Sequence, residues 1–256
     1  MSEIALVDRV ICAAARAWEN DGEVLATGIG LVPRLAASLC MRSINTDLIM
    51  TDSEAWVVNE PVPVGPRGDY KIKRENWMGF SRIFDNVWGG KRHAMVGPVQ
   101  VDRFGQGNIS MVGNDYARPK SMMLGVRGFP GNSINHANSF FVPNHSTKVF
   151  VPGEVDAVGS VGYNSARLAK GWTLEETTDI RFIFTNLCVM DFGGPSHQVR
   201  LVSLHPGVTA AQVREATGFS IHVPENVGVT PDPTPEQLAL LAQLDPHNLR
   251  ATAMGA

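Results

Sequence analysis

The sequence predicts an α/β fold, an open and largely parallel sheet with flanking helices, carried on a single domain spanning residues 1–256. Three observations predict it. Amphipathic helical stretches alternate with short apolar runs through the first third, as a parallel sheet with crossover helices requires. Glycine-rich or polar segments follow several of the apolar runs, where open α/β sheets place their ligands. No internal repeat and no linker-like stretch divides the chain.

Ile4 to Trp18 reads as a helix because Val7, Ile11, Ala14 and Trp18 fall on one stripe at helical spacing. "NDGE" breaks it. In "EVLATGIGLVPRLAASLCMR" a strand from Val24 to Ala26 runs into a loop with Gly28 and Gly30, and Pro33 opens a helix continuing to Met41. Proline suits the first turn, since the N–H it lacks has no helical partner there. "DLIM" is a short buried strand that breaks into "TDSEAW", a polar stretch carrying Asp52 and Glu54. "KRHAMVGPVQVDRFGQGNIS" reads as a strand, a second extended piece and a tight turn at Gly105 and Gly107. "SMMLG" is an apolar strand that empties into "GVRGFPGNSINHAN". "SFFVPN" and "VDAVGSVGY" are further strands, and "DIRFIFTNLCVMDF" is a strand pair joined at Thr185 and Asn186. "TAAQVREATGF" is a helix with Thr209 as N-cap and Gly218 as stop, and "TPEQLALLAQL" is a last, short helix.

Composition narrows the function. The net charge of -3 carries no long basic or acidic run, which argues against nucleic-acid binding. No apolar run has the length of a membrane helix and no signal-peptide pattern is present, so a soluble cytoplasmic protein is expected. Cys12, Cys40 and Cys188 are widely spaced in apolar surroundings and fit neither a disulfide framework nor a zinc site. The seven histidines show no metal spacing and are read as structural or surface residues; His136, just past a glycine loop, is the one to test. No G-x-S-x-G elbow supports a serine hydrolase.

Two glycine segments remain. "TGIGLVP" has two glycines of a dinucleotide fingerprint but Pro33 where the third would stand, and no acidic strand end follows at the required distance. A tight turn and a ligand loop are equally good readings of it, since glycines at a helix start bring backbone N–H groups close to a ligand. "GVRGFPGN" alone reads first as a flexible surface loop, but its three glycines also allow backbone N–H groups to converge on one point, as an oxyanion hole requires. Arg127 inside it is suited to clamp a carboxylate or phosphate.

The order of these segments resembles the β subunit of class I CoA-transferases. "EVLATGIGLVPRLAA" is similar to the family's strand, Gly-x-Gly-Leu-Pro loop and helix. "GPVQVDRFGQGNIS" is similar to its Gly-Gly-Ala-Gln-x-Asp…Gly-Asn-x-Asn segment. "GVRGFPGN" stands at its Gly-x-Gly-Gly loop, and "HPGVTAAQVREATGF" at its C-terminal helix. In that family a glutamate directly after the "DLIM" strand carries CoA as a covalent thioester. Here its position falls on Thr51 or Asp52 and not on Glu54, and the glycine that should follow is missing. Asp52 is one methylene short of a glutamate, and misplacement by about an ångström costs on the order of a hundredfold in rate.

The departure resembles one branch of the family, the β subunits of actinobacterial steroid ring-cleaving hydrolases. The resemblance implies a cyclohexenone carboxyl-CoA substrate with a propionate arm, opened by water addition and retro-aldol cleavage. It also implies an α-subunit partner that supplies a glutamate base, an α2β2 assembly, and no cofactor, CoA being part of the substrate. Arg127 and Asp52 are the catalytic candidates; Gly28, Gly30, Gly125, Gly128 and Asn132 are the candidates for lining the acyl-CoA and oxygen-stabilising site. A true CoA-transferase with Asp52 as nucleophile, and a non-catalytic partner that completes the α subunit's pocket, are the competing expectations.

Overall fold

Apolar periodicity builds the first helix. In the computed structural model, which describes residues 4–52, 55–123 and 125–254, α1 (Leu6–Ala15) buries Val7, Val10, Ile11 and Ala14, and a 3-10 turn, Arg16–Trp18, carries Trp18 to full burial. Contacts divide the chain into two units, one formed by Met1–Val96 with Pro231–Ala256 and the other by Gly97–Thr230.

In the first unit, β1 (Leu25–Gly28) leads into α2 (Leu31–Ser43), which packs on α1 and on β1. Pro33 is the third helical residue rather than the first, because Gly30 takes the N-cap with φ of 105°, which disfavours any side chain. β2 (Met50–Thr51), β3 (Trp56–Val58) and β4 (Arg74–Trp77) form a small antiparallel sheet. The "DLIM" strand is thus shorter than expected; Ile49 makes only a single parallel bridge to Leu25. α3 (Gly79–Gly89) follows, then β5 (Arg92–Val96), which pairs in parallel with β1.

In the second unit, β6 (Gln100–Val101) and β7 (Gly107–Asn108) close the hairpin expected at Gly105. β8 (Met111–Val112) pairs with β9 (Ser121–Met122). "SMMLG" is therefore not a buried strand: its two strand residues pair only with β8 and stand exposed, while Leu124 lies outside the described residues. α4 (Phe129–Asn135) leads to β10 (Ala137–Val142), buried along its whole length, and α5 (Leu174–Thr177) leads to β11 (Asp179–Thr185). β12 (Cys188–Asp191), β13 (Arg200–Leu204), α6 (Ala210–Glu215) and β14 (Gly228–Val229) follow. The strand order is β10-β11-β12-β13-β14, with β12 antiparallel to both neighbours and the outer pairs parallel. "VDAVGSVGY" is turn and irregular chain, its glycines holding a close crossing: Gly159 N–H donates to the Gly107 carbonyl at 2.8 Å, and a Cβ on Gly159 would sit 2.8 Å from that oxygen. α7 (Pro235–Leu244) belongs to the first unit and packs on α2. Thr209 and Thr234 each form a capping box, with Gln212 and Gln237, so these helix starts lie where their sequences put them.

Cys188 is core as expected, its thiol pushed up to about 12 by burial. His145 is also buried, between the Thr185 and Thr217 hydroxyls at 3.1 and 2.9 Å, and burial lowers its pKa to about 4. The unfolded chain therefore takes up a proton first, near the ordinary value of 6.5, and stability is lost as pH falls from there towards 4. The loss amounts to about 3 kcal/mol at most. Asp102, raised to about 6 by burial against the backbone N–H bonds that lower it, works in the opposite direction: its share of stability falls as pH rises towards 6. Thermal midpoints at pH 7 and pH 5 check the histidine: His145→Gln should flatten the acid-side fall relative to the unsubstituted protein, and an unchanged slope would remove His145 as its source.

Candidate active site

The end of β1 and the start of α2 approach so closely that only glycine fits at 28: an added Cβ would lie 2.3 Å from the Pro33 carbonyl oxygen. Gly30 then turns the chain into the helix with no side chain capping it, and Ile29 between the two glycines is exposed. The first unit thus offers a bare backbone corner, as the ligand-loop reading requires.

Asp52 follows β2 directly. Its side chain is fully buried, with Oδ1 accepting the Trp56 N–H at 2.9 Å and Oδ2 accepting Arg74 Nε at 2.9 Å. Both oxygens are engaged, and neither is presented to solvent for attack on a thioester. Ser53 and Glu54 lie outside the described residues. Arg74 was not legible as a site residue. It stands on β4, twenty-two residues from Asp52 in sequence, and only the antiparallel pairing of β3 with β4 brings it there.

In the second unit, Gly125 and Arg127 both have positive φ, 88° and 50°. Left-handed backbone at a non-glycine residue costs on the order of 1–2 kcal/mol, and it leaves the Arg127 side chain exposed. Gly128 caps α4, so "GVRGFPGN" is a loop only through its first half; from Phe129 it is helix. Asn132 lies on that helix, buried, and donates Nδ2 to Asn138 Oδ1 at 2.7 Å, while its own Oδ1 is buried without a partner. The unpartnered atom is an acceptor, which suits a hydroxyl, water or amide N–H. The loop is packed from beneath by Phe129, whose ring would be 3.1 Å from a Cβ on Gly107. His136 ends α4 and lines a cavity of about 220 Å³ with Glu175, Glu176 and Asp179. The structure brings Gly125, Arg127, Gly128 and Asn132 together within one segment, and Gly28 and Gly30 within another.

A strand, a glycine corner and a helix, followed by an acidic strand end and a second glycine loop, define a subunit of the CoA-transferase fold. The glutaconate CoA-transferase of Acidaminococcus fermentans shares that fold, with a TM-score of 0.80 over 98% of each chain at 22% identity. No protein-family model matches the chain. The IpdB subunit of the cholesterol ring-cleaving hydrolase of Rhodococcus jostii is 38% identical over 98% of this chain and 96% of its own length. The crystal structure of IpdAB from Rhodococcus jostii matches at a TM-score of 0.90 and 37% identity, covering all of both chains. One subunit of the 3-oxoadipate CoA-transferase of Pseudomonas knackmussii is 30% identical over 98% of this chain and 97% of its own. The chain belongs to the IpdB family of ring-cleaving hydrolase β subunits, within the class I CoA-transferases.

Proposed function

We propose that this chain is the β subunit of a heteromeric cytoplasmic hydrolase that opens the last steroid ring of a cyclohexenone carboxyl-CoA. The observation that carries the reading is the full-length identity of 38% to a cholesterol ring-cleaving hydrolase subunit. The environment of Asp52 supports it: a buried carboxylate held by a guanidinium and a backbone N–H is built for structure, not for covalent catalysis. Water adds across the enone, its hydroxyl bonding to the β carbon. The ring bond between the α and β carbons then breaks, its electron pair passing to the α carbon as an enolate and the hydroxyl carbon becoming a ketone. Protonation of the enolate completes the consumption of one water. Gly28, Gly30, Gly125 and Gly128 supply backbone approach to the acyl-CoA, Arg127 meets the propionate or the enolate charge, and Asn132 accepts from a hydroxyl or water. The α subunit supplies the base, and no resident cofactor takes part.

A surface of the first unit supports the partner. Phe80, Phe84 and Trp88, four apart on α3, form an aromatic stripe, with exposures of 68, 53 and 65%. Such a patch on a lone subunit marks a protein contact. Co-expression with an IpdA-type α subunit should give a heterotetramer that consumes the enone and yields the ring-opened diacid mono-CoA ester. It should not exchange CoA between acyl-CoA and free acid. CoA exchange without ring opening would favour a transferase instead, and full ring opening by this chain alone would overturn the split site.

A further inference from the structure

Two guanidinium groups, Arg74 and Arg34, feel the buried carboxylate of Asp52, and a third, Arg67, stands near Arg34; among the described residues only Arg74 is paired. Arg74 takes Asp52 Oδ2 at 2.9 Å. Arg34, in the first turn of α2 directly after the Gly28–Gly30 corner, lies close enough to Asp52 and to Arg67 for both charges to act on it. Burial first, and then Arg67, lower its pKa, while Asp52 raises it. Its Nη2 is buried without a hydrogen-bond partner, and so is Nε of Arg67. Neither arginine forms an ion pair among the described residues. Buried donors are normally satisfied, and an unpaired buried cation is costly to keep. Both residues are half-buried, with the unpartnered nitrogens beneath the surface.

We propose that Arg34 and Arg67 form an oxyanion-binding subsite that an anionic group of the acyl-CoA substrate completes. The inference rests on the acyl-CoA reading above and adds residues that no part of that reading uses. The anion is either a carboxylate of the substrate acid or a phosphate of CoA; both offer the oxygens that a guanidinium pair recognises.

The test uses the assembled complex with its α subunit and reads two quantities: the ligand-free thermal midpoint, and binding of coenzyme A and of glutarate by calorimetry. Arg34→Gln and Arg67→Gln are compared with Arg167→Ala, which removes an exposed arginine paired with Glu154 in the other unit. The expected result is a loss of affinity of about tenfold or more in each Gln variant, with none in the control. The ligand-free midpoint should be unchanged or higher, because an unpaired buried charge is gone; a purely structural arginine would lower it. Loss confined to coenzyme A assigns the phosphate, and loss for glutarate assigns the carboxylate. Unchanged affinity for both ligands, no binding of either by the unsubstituted complex, or a lowered ligand-free midpoint with retained affinity overturns the subsite. These readings do not depend on turnover, so a complex that binds through Arg34 and Arg67 but opens no ring would refute the proposed reaction alone.

Discussion

Arg127→Ala lowers kcat/KM for ring opening by about tenfold or more, the worth of one charge-assisted contact. The protein should remain folded, because Arg127 is exposed and contributes nothing to the core. Its backbone strengthens the expectation. A residue held at φ of 50° is strained, and strain at a non-glycine residue is kept where the side chain is used. Arg127→Gly therefore separates the two effects: it should relieve the backbone, leave stability equal or higher, and lose as much activity as the alanine variant. Arg127→Lys should recover only part, since the ammonium keeps the charge without the planar fork. A loss mainly in KM would place the arginine on the propionate; a loss mainly in kcat would place it on the enolate. Near-normal turnover by Arg127→Ala would show that the side chain serves only the surface.

Asp52→Ala should destabilise the protein by on the order of 2 kcal/mol, less than a fully buried pair because Arg74 can turn part of its head to water. The side-chain exposures of the two partners are 0 and 36%. The loss is a charge effect as much as a contact effect, since Arg34 also loses its compensating carboxylate. Asp52→Asn keeps an oxygen for the Trp56 N–H and should retain a measurable share of ring-opening activity. Chemical denaturation of the assembled complex, with steady-state rates on the same samples, checks both. Complete loss of activity in a fully folded Asn variant would give Asp52 a chemical role.

What the sequence made legible was local. Thr209 and Thr234 mark helix starts because a capping box needs only residues three apart. Gly30 marks a helix corner because its conformation is its own, and Phe140 and Ile183 mark buried strands because the apolar runs around them are continuous. What stayed hidden was long-range or inverted. The Asp52–Arg74 pair depends on β3 and β4 folding back, and Arg34 and Arg67 have no spacing that links them. α3 escaped notice because its aromatic residues point away from the core of this chain, so its stripe describes a contact that the chain does not make with itself. "VDAVGSVGY" misled in the opposite sense: its alternation is that of a strand, but Gly159 is needed for a backbone crossing.

Ring opening should proceed without CoA passing through a covalent bond to the protein. The most direct measurement is to mix the assembled complex with the cyclohexenone carboxyl-CoA, trap with hydroxylamine or borohydride during turnover, and weigh the peptide containing Asp52. This peptide should keep its unmodified mass while ring-opened product accumulates; a stoichiometric hydroxamate or reduced carboxyl at Asp52 would overturn the hydrolase reading.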